Sequence, residues 1–146
     1  MSDSATAVTA WEALFRAQVS VMRQLSAEFP AGDISLNDYD ALFTLSRAPK
    51  RRLRIRNLGE NLLITQPSVS RLIDRLASRG LVSKASDPDD GRGVIVELTE
   101  AGFAAFRRAA AHHMESITDR LGGALSHDKL VQLTDLCNRL RAGGAG

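Results

Sequence analysis

One cysteine, Cys137, stands in a chain of 146 residues. A lone thiol excludes an internal disulfide and any zinc site built from several cysteines. Aromatic residues make up 5% of the chain, too few for the stacking platforms that hold single strands and RNA. No apolar run approaches the ~20 residues that span a bilayer. Met1 to Val8, rich in Ser, Ala and Thr, has no basic stretch leading into an apolar one, so the expected location is the cytoplasm. No nucleophile paired with a base, metal cluster or phosphate loop is legible, so neither an enzyme nor a cofactor is expected. Acidic residues are scarce in the middle. Between Arg47 and Lys84 ten basic residues face two acids, Glu60 and Asp74, a net +8 against −6 for the remainder. Such segregation suits a polyanionic partner for the centre only.

The stretch Thr65 to Arg79 organises what is present. Val69, Leu72, Ile73 and Leu76 recur at i, i+3, i+4 and i+7, one apolar face of a helix. Thr65 is placed to cap it, Pro67 falls in its first turn, and Gly80 follows its end. Off that face, near the start, stand Gln66, Ser68, Ser70 and Arg71, with Arg75 a turn further on. Hydroxyls, an amide and guanidiniums are the groups that reach base edges and phosphates when a helix enters the major groove.

Around this stretch, Trp11 to Phe29 reads as a long helix ended by Pro30 and Gly32. Ser35 or Asn37 opens a second helix that Pro49 stops. Lys50 to Arg56 reads as a loop entering a short strand with its basic side chains on one side. A short helix over 56–62 follows, and Leu63 and Ile64 turn into the Thr65 stretch: helix, turn, helix. Leu81–Ala85 and Val94–Leu98 read as two strands flanking the turn-rich Ser86–Gly93. A hairpin directly after a helix-turn-helix is a wing, and its expected tip carries Arg92 between two glycines. An arginine there suits the negative potential of a narrow minor groove. Thr99 caps a long helix that Gly122-Gly123 is expected to break, and Ser126 caps the last, with a frayed Gly143–Gly146 tail. The fold class is therefore mainly α with a small β-wing: a winged helix-turn-helix over 35–99, and long terminal helices over 9–30 and 100–142 forming a dimerisation region. Trp11, Leu14, Leu130, Leu133, Leu136 and Leu140 are the apolar residues expected to pack between two chains.

Other constellations carry less. Cys137 lies on an apolar helical face and reads as a buried, inert thiol. His112 and His113 are adjacent, about 100° apart around a helix, and poorly placed to share a metal, with or without His127. Asp87-Pro88-Asp89-Asp90-Gly91 lacks the ligand positions of a calcium loop.

Taken together, Leu53–Glu60, Thr65–Leu76, Arg79–Val82 and the wing Asp87–Arg92, ending in Leu98-Thr99-Glu100-Ala101-Gly102, resemble the MarR family of winged-helix transcriptional regulators. The resemblance covers roughly Trp11 to Leu140. It implies a homodimer with intertwined first, fifth and sixth helices, each subunit presenting one recognition helix to double-stranded DNA. Thr65, Gln66, Ser68, Ser70 and Arg71 would face the major groove, with Arg75 near a phosphate and Arg92 in the minor groove. Asp90 would brace an arginine of the wing. Where the family often carries a second charged residue after the wing arginine, this chain has Gly93. Charge alone adds Arg51, Arg52, Arg54, Arg56 and Lys84 as phosphate contacts. The resemblance further implies repression from a pseudo-palindromic operator and release by a small aromatic or other effector. Trp11, Phe15, Tyr39 and Phe43 would lie near the effector cleft but receive no role. The rival reading is a winged helix used only for protein contacts, which would not need the +8 segment and would lack a steep salt dependence toward DNA.

Overall fold

The structure, a computed structural model, describes residues 3–30, 32, 34–62 and 64–143. In chain order it runs α1 (Ser4–Glu28), α2 (Leu36–Arg47), a 3-10 turn (Pro49–Arg51), β1 (Arg52–Arg54), α3 (Ile55–Glu60), α4 (Gln66–Ser78), β2 (Val82–Asp87), β3 (Asp90–Leu98), α5 (Glu100–Ala124) and α6 (His127–Gly143). The chain divides after Glu28 and again after Ala111 into two units: the central Phe29–Ala111, and the two ends of the chain.

The central unit holds the expected helix-turn-helix and wing. Ser35 caps α2 through a reciprocal box, its hydroxyl accepting from the Asp38 amide while the Asp38 carboxylate accepts from the Ser35 amide. α4 buries the face that its periodicity marks: Val69, Leu72, Ile73 and Leu76 are each at most 1% exposed, a burial that stabilises by about 1.5–3 kcal/mol per side chain. They pack with Leu42, Leu45, Leu58, Val96 and Ala105 in one core. Gly80, at φ +75°, ends α4. Its amide donates to the Ala77 carbonyl and the Leu81 amide to that of Leu76, the paired closure of a left-handed C-terminal glycine. Three antiparallel strands follow in the order β1-β3-β2, with Arg54 opposite Ile95 and Val82 opposite Leu98.

In the unit formed by the chain ends, the Glu28 carbonyl oxygen and His112 Nε2 lie 2.9 Å apart, and Arg120 Nε donates to Glu28 Oε1 at 2.6 Å. Its described residues bury only Leu25, His113 and Ser116.

Several expectations are corrected. α1 begins at Ser4, not Trp11, because Asp3 Oδ1 accepts from the Thr6 amide at 2.7 Å and nothing in the Ser/Ala/Thr stretch breaks a helix. α5 runs through Gly122-Gly123 to Ala124; glycine costs a helix about 1 kcal/mol without stopping it. β1 holds only Arg52–Arg54, and α3 starts at Ile55 and ends at Glu60, so Arg56 is helical. The wing strands are longer than expected and leave only Pro88 and Asp89 as the turn, which puts Arg92 inside β3 instead of at the tip. Cys137 is half-buried in the single chain, since α6 buries none of its residues there. Leu63 of the expected turn and 144–146 of the tail lie outside the described residues.

Candidate nucleic-acid interface

The start of α4 is organised by hydroxyls. Thr65 Oγ1 accepts from the Ser68 amide at 3.4 Å and donates to Ser68 Oγ at 3.0 Å. Ser68 Oγ accepts in turn from Arg71 Nη2 at 3.1 Å. The cap that satisfies the helix terminus thus also draws a guanidinium toward that terminus. Gln66 is held otherwise: its Nε2 donates to the Arg56 carbonyl at 3.4 Å and its amide lies over Gly59. A Cβ at residue 59 would sit 2.3 Å from Gln66 Nε2, so the glycine of α3 makes room for the glutamine of α4. Thr65, Gln66, Ser70, Arg71 and Arg75 are exposed and Ser68 is half-buried. The recognition candidates therefore share one open end of one helix.

The wing presents Arg92 by a break in register. β2 and β3 pair regularly from Val82 opposite Leu98 to Ser86 opposite Val94, then shift so that Asp87 faces Asp90. Gly91, Arg92 and Gly93 are left over and bulge out. Asp90 Oδ1 accepts from the Arg92 amide at 3.1 Å, so Asp90 braces the arginine through its backbone. The carboxylate that pairs with a guanidinium is Asp87, whose side chain is 2% exposed and whose Oδ2 lies 2.6 Å from Arg54 Nε. The sequence places Asp87 among the turn formers of the wing motif without a pairing role; its partner lies 33 residues earlier and no local pattern points to it. Arg54, Arg56, Asp90 and Arg92 rim a shallow cleft of about 190 Å³ between β1 and the wing.

The basic candidates separate by partner. Arg51 lies 3.6 Å from Glu100 and stacks 3.9 Å from the Phe103 ring centroid. Arg52 lies 3.8 Å from Glu97, and Lys84 pairs with Asp74. Among the described residues, Arg56, Arg71, Arg75 and Arg92 pair with no carboxylate. Four guanidiniums without acidic partners, beside a capped helix start and a bulged hairpin, form a surface suited to a polyanion.

A three-stranded sheet, two short helices set for a groove and an arginine-bearing hairpin define a winged helix-turn-helix. The MarR family model matches residues 32–93. The HTH-type transcriptional regulator Mb0904 of Mycobacterium bovis is 31% identical over 105 residues, 72% of this chain and 72% of its own. The fold superimposes on Sco3205, a MarR-family regulator of Streptomyces coelicolor solved in complex with DNA, with a TM-score of 0.79 and 25% identity, covering 98% of this chain and 90% of that one. PcaV of the same organism, solved with its natural ligand, matches at TM-score 0.72 and 25% identity over 90% and 91%. The chain belongs to the MarR family of DNA-binding transcriptional regulators. No described helix is long and apolar enough to cross a membrane.

Proposed function

We propose that the chain represses transcription as a homodimer bound to a pseudo-palindromic operator, each subunit docking one half-site. In this reading the start of α4 enters the major groove. Gln66, Ser68, Ser70 and Arg71 address base edges, Thr65 fixes the helix start, Arg75 and Arg56 take phosphates, and Arg92 enters the minor groove. Twofold symmetry calls for half-sites about one helical turn apart, ~34–36 Å. A small effector that altered the spacing of the two recognition helices would break simultaneous docking, and with it most of the avidity. The ligand-bound relative PcaV supports an effector, and the DNA-bound relative Sco3205 supports the docking.

The observation that carries the reading is the Thr65–Ser68–Arg71 chain of hydrogen bonds, which aims a guanidinium without a carboxylate partner from an exposed helix start. The remaining cations follow from magnitudes. Exposed ion pairs are worth about 0–1 kcal/mol, so Arg51, Arg52 and Lys84 can exchange their carboxylates for phosphates. Asp87 is buried, and drawing Arg54 away would leave its carboxylate without a cation, so Arg54 keeps Asp87.

Footprinting on the intergenic DNA upstream of the coding sequence tests this. The expected result is a protected palindrome, lost steeply with salt through counterion release. Arg71→Ala should weaken binding by about 1–3 kcal/mol and relax sequence preference, and Arg92→Ala should remove protection at the flanks. Protection indifferent to Arg71→Ala would sink the recognition-helix assignment. A folded dimer that protects nothing at low salt would favour a protein-contact module.

A further inference from the structure

The sequence offers Arg54 as a phosphate contact, and the structure gives it another occupation. The Asp87 carboxylate it meets lies beneath the bulge that carries Arg92. A Cβ on Gly93 would stand 3.1 Å from Asp87 Cβ and 3.4 Å from its Oδ2. The other carboxylate oxygen, Oδ1, accepts from the Asp89 amide in the hairpin turn at 2.9 Å. Asp87 therefore sits between turn, bulge and β1, at the step where the register of β2 and β3 breaks. Arg54 stands at the other end of the pair as the last residue of β1 and the residue that immediately precedes α3. A carboxylate so deeply buried is stabilised by the cation beside it, and removing that cation leaves it stranded. A two-stranded ribbon has little to fix its direction by itself.

Resting on the wing contact proposed above, we propose that Arg54 is a positioning residue. Through Asp87 it fixes the Gly91–Arg92–Gly93 bulge against the frame of the helix-turn-helix, and so sets where Arg92 meets the minor groove. It acts on DNA through Arg92 and touches no phosphate itself.

Two substitutions separate this from a charge effect. Asp87→Asn removes a negative charge beside a polyanion and frees Arg54, so on charge alone it should tighten DNA binding; the positioning role has it weaken binding. Arg54→Lys keeps the cation, which a phosphate contact would tolerate, but removes the guanidinium nitrogen that lies against Asp87. Each would be measured on the full-length protein with a duplex selected from a random-sequence library, alone and combined with Arg92→Ala. The expected result is that both weaken binding toward the level of Arg92→Ala and lower the salt slope by about one, as loss of a single cationic contact does. In the Arg92→Ala background each should change affinity by less than about two-fold, the limit within which independent effects scatter. Tighter binding by Asp87→Asn, or equal losses in both backgrounds, would overturn the positioning role while leaving the wing contact standing. An Arg92→Ala chain that binds like its parent would overturn the wing contact itself, and the positioning role with it. Should Asp87→Asn fail to fold, Arg54→Lys carries the same comparison.

Discussion

At the scale of single residues, two glycines make opposite demands. A Cβ on Gly102 would lie 1.9 Å from the Leu81 carbonyl oxygen and 2.8 Å from Leu98 Cδ1, and neither backbone nor core can yield at low cost. Gly102→Ala should destabilise by about 1–3 kcal/mol, the usual range for overpacking, read as a lowered urea midpoint. A Cβ on Gly59 meets only the end of the flexible Gln66 side chain. Gly59→Ala should leave stability unchanged or raise it by up to about 1 kcal/mol, as alanine does in a helix. It should nevertheless relax operator preference, because Gln66 loses its hold on the Arg56 carbonyl. One substitution reads out packing, the other recognition. A third residue responds to pH. Burial in the first place, and repulsion from His112 in the second, hold His113 below its ordinary value of 6.5. The folded chain thus prefers neutral His113, and its contribution to stability is complete above about pH 6.5 and lost as the pH falls through the lower folded-state value. Urea midpoints measured from pH 8 down to pH 5 should decline accordingly, and His113→Gln should flatten that decline.

At the scale of elements, α4 shows how a local code becomes a presented surface. Its cap, its first-turn proline, its apolar face and its closing glycine all occur where the sequence puts them. Thr65→Ala should cost about 1 kcal/mol and also release Ser68, whereas Thr65→Ser should restore most of both; urea midpoints and DNA affinity measured side by side check this. Such features are legible because each depends on residues within one or two turns. The start of α1 was not legible, since a polar, small-residue stretch carries no periodic stripe to follow. Gly122-Gly123 misled because two glycines weaken a helix without ending it. The bulge at Arg92 and the Arg54–Asp87 pair were hidden for another reason: register and pairing belong to strands far apart in the chain.

For the whole molecule, the central unit has a core and the unit of the chain ends has almost none in a single copy. Trp11 is 60% exposed, Leu136 54% and Leu140 63%, and covering such side chains stabilises by about 1.5–3 kcal/mol each. The proposed homodimer gives them cover. Sedimentation should therefore find twice the chain mass. Leu136→Glu with Leu140→Glu should yield single chains that lose most operator affinity, because two linked half-site contacts become one. A doubly substituted chain that stays dimeric would take α6 out of the interface.

One junction within the central unit bears on motion. The Thr99 hydroxyl donates to the Gly80 carbonyl at 2.7 Å and accepts from the Gly102 amide at 3.0 Å, while the Thr99 amide donates to the Leu81 carbonyl at 3.2 Å. The chain just past the end of α4 and the first turn of α5 are thereby sewn to one threonine. Fraying at either end would loosen the other, so the two should open together in amide exchange. A displacement imposed on the start of α5 would therefore pull, through Thr99, on the chain just past the end of α4.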